Sequence, residues 1–274
     1  MTVNSEAAEP KPAASVVLVR AAPAGAPEPI EVYMVRRNQK MRFLGGYYAF
    51  PGGKVDTADC APASLDRAHG VDSAAAEALI HDAGGVAPLA FWLAAVRELL
   101  EETGILLACD RHGAPVDAVN TVDACRTSLM AGEPFAGLLA ARGWFADLRP
   151  LRYLSHFITP RTSPIRFTAR FFLCPVPAGQ EPRLFHEETS EGFWIHPAEG
   201  YRRFLAKDMA MAEPAEYGVA YLAQFDSLDE LWAAHDDRRH KFEGLIHRIE
   251  FWKDFDWQAN RWIEGPALRA RERQ

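Results

Sequence analysis

The clearest repeating pattern of apolar and polar positions in the chain lies between Pro88 and Gly104. Pro88 suits the first turn of a helix, where its missing N–H costs no hydrogen bond, and Gly104 suits the residue that ends one. At 100° per residue, two groups of side chains fall on opposite sides of this helix. The apolar side carries Trp92, Val96, Leu99, Leu100 and Thr103, and the acidic side carries Glu98, Glu101 and Glu102. The pattern therefore predicts a helix with one face for a core and one face of carboxylates.

The rest of the pattern predicts strands and helices on both sides of this helix. Period-two alternation and short apolar runs predict strands at residues 15–21, 31–37, 48–50, 105–109, 152–158, 167–176 and 192–196. Helical spacing predicts helices at residues 72–82, in two pieces within 115–146, and at 202–206, 213–223 and 228–235. Strands with helices before, between and after them indicate an α/β (α+β) fold built in layers.

The length of the chain, 274 residues, suits one enlarged domain better than two domains of average size. We expect a flexible tail at residues 1–14, a single domain over residues 15–265 and a second tail at residues 266–274. Within the domain, residues 57–90 are expected to be an insertion and residues 197–265 a helical C-terminal part.

Composition and charge exclude several classes of protein. The net charge of −7 provides no global basic field for nucleic acid or for an anionic membrane. No apolar run approaches the roughly 18 residues of a membrane span, and residues 1–14 lack the features of a signal peptide. The four cysteines form no C-x-x-C pair, which is typical of reduced thiols that are buried or half-buried. We therefore expect a cytoplasmic protein.

The three carboxylates of the central helix allow two interpretations. Glu98, Glu101 and Glu102 stand at i, i+3 and i+4, close enough together to hold a divalent cation. A solvated acidic face is the common alternative, because like-charge pairs on a helix cost only about 0.2–0.5 kcal/mol each. Arg97 stands four residues before Glu101 and can hold a carboxylate in one rotamer, which favours the cation.

A glycine segment upstream makes the combination more specific. Gly52 and Gly53, within Phe-Pro-Gly-Gly, permit positive φ and a close approach of the backbone. Together with Arg-Glu-Leu-Leu-Glu-Glu-Thr-Gly-Ile at residues 97–105, this segment resembles the box of the Nudix hydrolases. That box reads Gly, five residues, Glu, seven residues, then Arg-Glu-apolar-x-Glu-Glu-x-Gly-apolar. Residues 97–105 match its second half at every fixed position, and Gly53 matches its first glycine.

The chain departs from the box in one place. Counting onward from Gly53 puts Asp59 where the family has glutamate. Between Asp59 and Arg97 lie 37 residues, where the usual box has seven. An insertion of 30 residues therefore interrupts the motif, and the structural role of Asp59 is open.

The interrupted box resembles one branch of the family, the peroxisomal-type coenzyme A diphosphatases of animals and their bacterial relatives. That branch carries a similar insertion, a Trp/Phe-x-Thr-Pro stretch and an Arg-Phe-x-x-x-Phe-Phe-Leu stretch, found here at residues 157–160 and 166–173. The resemblance extends from residue 16 to residue 235. It implies a mixed β-sheet held between helices. It also implies cleavage of coenzyme A, or of its acyl esters, to 3′,5′-ADP and a 4′-phosphopantetheine.

The resemblance assigns the metal-binding role to Glu98, Glu101 and Glu102, with Mg²⁺ or Mn²⁺ as the cofactor. It also gives Arg97 the task of orienting the first of these glutamates. All four residues are therefore expected to be catalytic.

A later acidic loop supplies the fifth candidate. In many members such a loop, placed before a Trp-containing strand, adds a further ligand or the base. Glu191 is the preferred residue here and Glu188 the second, with a solvated acidic loop as the alternative. The choice between Glu191 and a glutamate of the helix as base is open.

Substrate binding is predicted for two glycines and three arginines. Gly52 and Gly53 offer close backbone approach, and Arg166 lies in a loop where it can contact a phosphate. Arg36 and Arg37 belong to a basic cluster before the glycine segment, and a solvated strand end is the equal alternative for them.

Other functions stay open at this stage. The runner-up is a Nudix hydrolase of ADP-sugars or dinucleotides, followed by a catalytically silent Nudix-like sensing domain, which the three intact box glutamates disfavour. The expected partner is a small-molecule nucleoside diphosphate, without nucleic acid or membrane. A homodimer is open.

Overall fold

The computed structural model describes residues 8–117, 120–161, 163–186 and 189–235, and two short strands further on. The strands are β1 Lys11–Ala21, β2 Ile30–Arg37, β3 Tyr48–Ala49, β4 Gly52–Lys54, β5 Ala68–His69, β6 Ala108–Cys109, β7 Phe145–Asp147, β8 Arg152–Ile158, β9 Phe167–Pro175, β10 Thr189–Ile195, β11 Phe255–Asp256 and β12 Arg261–Trp262. The helices are α1 Pro62–Leu65, α2 Ser73–Leu79, α3 Ala90–Thr103, α4 Val122–Met130, α5 Phe135–Ala141, α6 Pro197–Leu205, α7 Glu213–Leu222 and α8 Leu228–Ala233. A 3₁₀ helix spans Thr57–Cys60.

The residues group into two compact units. The first draws on the chain up to Ser15 and on Gly52–Leu151 and His156–Phe172. The second draws on Val16–Pro51 and Arg152–Ser155, and on the chain from Leu173 onward. Strands β1, β8 and β9 contribute residues to both units. The single domain expected over residues 15–265 stays a prediction.

In the first unit, α3 is buried almost all round. Its predicted apolar side is confirmed in the core, where the ring centroids of Trp92 and Phe172 lie 4.8 Å apart. Arg97 and Glu98 are buried as well, only 6% and 9% exposed. Gly104 ends the helix with φ of 70°, as predicted. The solvated interpretation of the acidic face is therefore wrong for Glu98.

The first unit also holds the insertion and a small second sheet. Strands β5, β7 and β6 lie side by side in that order, with β5 parallel and β6 antiparallel to β7. The insertion contains the 3₁₀ helix, α1, β5 and α2, of which only α2 was predicted. The strand β7 lies at the end of the segment predicted to be helical, because it pairs with two segments distant in sequence that local spacing does not reveal.

In the second unit, β2 lies between β10 and the part of β1 from Val16 onward, and β3 also pairs with β2. Strand β2 is antiparallel to β1, with Val32 opposite Val19, and antiparallel to β10, with Arg36 opposite Glu191. Apolar side chains of β1 and β2 form the core of this unit, and α6 and α7 pack against each other.

Two expectations meet the structure at the ends of the chain. Strand β1 begins at Lys11 rather than at residue 15, because Ala13, Ala14 and Ser15 pair with β4. Strands β11 and β12 pair within the part predicted to be helical, where aromatic and polar residues alternate as they do in strands.

Within the described part of the chain, no helix is long and apolar enough to span a membrane. Three of the four cysteines are buried and one is half-buried, as predicted, and none of the four takes part in a disulfide bond.

Candidate active site

The glycine segment forms β4 and comes into contact with the carboxylates of α3. The main-chain N–H of Gly52 donates a hydrogen bond of 2.8 Å to Oε2 of Glu102. A Cβ atom on Gly53 would overlap the carboxylate of Glu98, so this position has no room for a side chain. A Cβ on Gly52 would overlap the backbone of β1, and its φ of 154° also favours glycine. Both glycines therefore let the strand lie directly against the acidic helix.

Arg97 is the centre of this cluster. Its Nη1 donates to Glu98 and to Glu101, each at 2.9 Å. Its Nε and Nη2 donate to the two oxygens of Asp59 at 3.0 and 2.9 Å, and Nη2 also reaches the carbonyl oxygen of Lys54 at 2.7 Å. The five N–H groups of the guanidinium therefore all have an acceptor, which a lysine with its three donors could not reproduce.

The position of Asp59 answers the question that the insertion raised. Asp59 is 2% exposed, and its Oδ2 also accepts the main-chain N–H of Asp56 at 2.8 Å, which closes a capping box on the 3₁₀ helix. The 3₁₀ helix, near the start of the insertion, also packs against α3, which begins where the insertion ends. The two ends of the insertion therefore meet. This explains how Asp59 contacts Arg97 across 37 intervening residues.

Burial is the largest single influence on the pKa values of Glu98 and Arg97. It raises the pKa of Glu98 to about 8, against the lowering effect of Arg97 and with a further rise from Glu101 and Glu102. For Arg97 burial lowers the pKa, but the hydrogen bond to Asp59 and the charges of Glu98 and Asp59 outweigh it and raise the pKa. The arginine is thus permanently charged, whereas burial favours the neutral form of Glu98.

A second arginine–carboxylate cluster lies in the second unit, on three adjacent strands. Arg36 stands opposite Glu191 on one side and opposite Tyr48 on the other. Its Nη1 donates to Glu191 at 2.7 Å, and the Tyr48 hydroxyl donates to the other oxygen of Glu191 at 3.2 Å. The Arg36 guanidinium also lies 5.5 Å from the centre of the Tyr48 ring. The predicted base candidate is therefore held by two donors, in a position where the register of β10 is irregular.

Comparisons with known proteins identify the family of this chain. A family model described as the NUDT19 Nudix domain matches residues 10–222. This chain belongs to that Nudix family. It is similar to the acyl-coenzyme A diphosphatase NUDT19 of Homo sapiens, at 28% identity over 80% of this chain and 70% of the human protein. The protein of the same name from Gallus gallus is 26% identical over 82% of this chain and 71% of its own length.

A solved structure gives the same result for the fold. The NUDIX hydrolase from Alicyclobacillus acidocaldarius is 32% identical, with a TM-score of 0.67, and the match covers 80% of this chain and 94% of that one. The predicted Nudix fold, with its mixed α/β architecture, is confirmed. So is the expectation of a Nudix diphosphatase enzyme.

Nudix hydrolases in general need a divalent metal, and the donor set of α3 suits one chemically. Glu98, Glu101 and Glu102 offer only carboxylate oxygens, as hard cations prefer. Among the described residues, no three acidic, histidine or cysteine side chains already converge as a metal site requires. Glu101 and Glu102 are half-buried, so rotation of their side chains can bring them together. A cation there would also stabilise the charged form of Glu98, which burial disfavours.

The other predicted Nudix substrate contacts are engaged elsewhere in the structure. Arg37 donates through Nε to the carbonyl oxygen of Phe43 at 3.3 Å. Arg166 donates to the carbonyl oxygens of Thr159 and Ala8 at 2.9 and 2.7 Å, which ties the start of the described chain to a loop. Glu188 lies outside the described residues. The phosphate-binding roles of the arginines stay predictions.

One contact of the Nudix helix was missed by the sequence interpretation. Arg126, on α4, donates through Nε to the main-chain carbonyl oxygen of Glu101 at 2.7 Å. The contact depends on the packing of α4 against α3, so no local pattern signals it. The sequence predicted a helix in this region, but it gave no sign that Arg126 contacts α3.

Proposed function

We propose that this Nudix hydrolase cleaves the diphosphate linkage of coenzyme A or of acyl-coenzyme A. The observation that carries the proposal is the arrangement of Asp59, Glu98 and Glu101 around Arg97, which gives the interrupted box a continuous set of contacts. The similarity to relatives named acyl-coenzyme A diphosphatase supports the choice of substrate.

In this proposal some residues of the box position the glutamates, and the glutamates bind the metal. Before the cation binds, Arg97 holds Glu98 and Glu101 by hydrogen bonds, and the Gly52 N–H holds Glu102. The three glutamates hold the cation. A bound divalent cation offsets the negative charge of the phosphates and makes water a better nucleophile near neutral pH.

We propose Mg²⁺ or Mn²⁺ as the cation, because the donors are oxygens only. A zinc site would be expected to use histidine or cysteine ligands.

A glutamate takes the proton of the attacking water, and both the box glutamates and Glu191 are candidates. Gly52 and Gly53 are proposed as substrate contacts because they lie against the box glutamates. Arg36, Arg37 and Arg166 are retained as weaker candidates. A cytoplasmic location and a homodimer stay predictions.

The test is a panel of diphosphates incubated with the purified protein and Mg²⁺ or Mn²⁺. Coenzyme A and acyl-coenzyme A should be cleaved to 3′,5′-ADP, identified by mass spectrometry, with a higher kcat/KM than NADH, ADP-ribose or diadenosine polyphosphates. A higher kcat/KM for ADP-ribose or a dinucleotide would show that the proposed substrate is wrong and that the proposed diphosphate hydrolysis is right. If neither metal supports cleavage of any member of the panel, the proposed function is wrong.

A further inference from the structure

The last turn of α3 carries two of the three box glutamates, and its end needs hydrogen-bond partners from outside the helix. The last four carbonyl groups of any α-helix find no N–H donor within the helix. Here the Leu100 carbonyl accepts the N–H of Gly104, the residue after the helix, at 3.0 Å. The carbonyl of Glu101 accepts from a residue 25 positions further along the chain, Arg126.

Arg126 reaches this carbonyl because of its position on α4. Val122, Cys125 and Leu129 form the buried stripe of that helix, and Arg126 stands within the same stripe, half-buried. A cation at the C-terminal end of α3 also complements the negative end of the helix dipole. Glu101 is therefore held twice, through its side chain by Arg97 and through its main chain by Arg126.

We propose that Arg126 is a positioning residue for the metal-binding carboxylates of this enzyme. By fixing the main chain of Glu101, it keeps the last turn of α3 from fraying, so that Glu101 and Glu102 start from one backbone geometry when they bind a divalent cation. The inference rests on the proposed function, since it assumes that these glutamates hold the metal.

A purely electrostatic role for Arg126 predicts an effect of opposite sign. If its positive charge near the carboxylates were all that mattered, removing the charge would reduce repulsion and strengthen the binding of a divalent cation. If the hydrogen bond positions the turn, removing it weakens cation binding. The sign of the change therefore separates the two roles.

The experiment measures Mn²⁺ binding to metal-free protein by titration calorimetry, without substrate. We compare wild type with Arg126→Gln, which removes the charge and the bond, and Arg126→Lys, which keeps the charge but not the Nε geometry. Both variants should bind Mn²⁺ about three- to tenfold more weakly, as expected for the loss of a charge-assisted hydrogen bond. The matched control is Arg142→Gln, since Arg142 makes the same kind of bond to a helix carbonyl, that of Leu138 in α5, at 3.0 Å.

Hydrogen exchange gives a second readout that needs no metal. The amides of Gly104 and Ile105 should exchange faster in both Arg126 variants, while the melting temperature changes little more than in the Arg142 control. Unchanged or tighter Mn²⁺ binding in Arg126→Gln would overturn the inference, as would equal weakening in the control. Wild type that does not bind Mn²⁺ would also overturn it. Wild type that binds Mn²⁺ but hydrolyses no diphosphate would refute the proposed function alone.

Discussion

The two arginine–carboxylate clusters of the molecule have similar distances and very different surroundings. Arg97 lies 2.9 Å from each of three carboxylates, with 7% of its side chain exposed. Arg36 lies 2.7 Å from one carboxylate, that of Glu191, with 31% of its side chain exposed and 43% of its partner's. The donors of Arg97 are all in use, whereas Nη2 of Arg36 has no acceptor among the described residues.

The difference shows that distance alone does not measure the importance of an ion pair. A buried arginine whose partner is removed leaves a charge without water or a counter-ion, and the cost is large. An exposed pair is screened by solvent, and removing it changes stability little. We therefore expect Arg97 to be a structural requirement of the box, and Arg36 with Glu191 to be open to substitution without loss of the fold.

The largest expected effect is that of Arg97→Gln. Asp59, Glu98 and Glu101 would lose their shared counter-charge inside the protein, so the free energy of unfolding should fall by about 3–5 kcal/mol. Urea denaturation at neutral pH measures this change. Arg97→Lys should recover only part of it, because three donors cannot satisfy acceptors that now use five. A loss no larger than that caused by Arg36→Gln would contradict the comparison.

A smaller effect is expected from Gly53→Ala. The added methyl group would overlap the Glu98 carboxylate and push it from its contact with Arg97. Overpacking of this kind costs about 1–3 kcal/mol of stability, and hydrolysis should fall with it. Gly137→Ala is the matched control, because it lies in α5 with its nearest neighbour 4.0 Å from the new atom. That variant should gain about 0.5–1 kcal/mol, since alanine suits a helix better than glycine. Equal behaviour of the two variants in thermal melts would refute the close contact.

The smallest effect on stability is expected from Arg36→Gln and Glu191→Gln. Both should unfold at the urea concentration of wild type, because each removes one partner of a solvent-exposed pair. Activity then separates the interpretations of Glu191. A loss of turnover of about a hundredfold or more in Glu191→Gln, at unchanged stability, would support the base role. A change confined to KM in both variants would indicate that Glu191 acts by holding Arg36.

The sequence predicted the parts of this molecule that depend on local pattern. The length and polarity of α3, its end at Gly104 and the bounds of β8 follow from spacing and turn chemistry. The box residues could be named because their motif is specific. The solvated alternative for Glu98 was wrong because burial on the acidic side depends on β4 and the insertion, which pack there from elsewhere in the chain.

What the sequence could not predict depends on contacts between distant segments. The pairing of Asp59 with Arg97 needed the 3₁₀ helix at the start of the insertion to pack against α3 at its end. The cluster of Arg36, Tyr48 and Glu191 needed the register of three strands, which single-sequence patterns do not fix.

The central claim is that the buried carboxylates around Arg97 are required for the hydrolysis. The most direct measurement is the rate of 3′,5′-ADP release from coenzyme A, with saturating Mn²⁺, by wild type and by Glu98→Gln at matched stability. The glutamine keeps an oxygen for Arg97 but loses the negative charge, so we expect the rate to fall at least about a hundredfold. A rate within a few-fold of wild type would contradict the account.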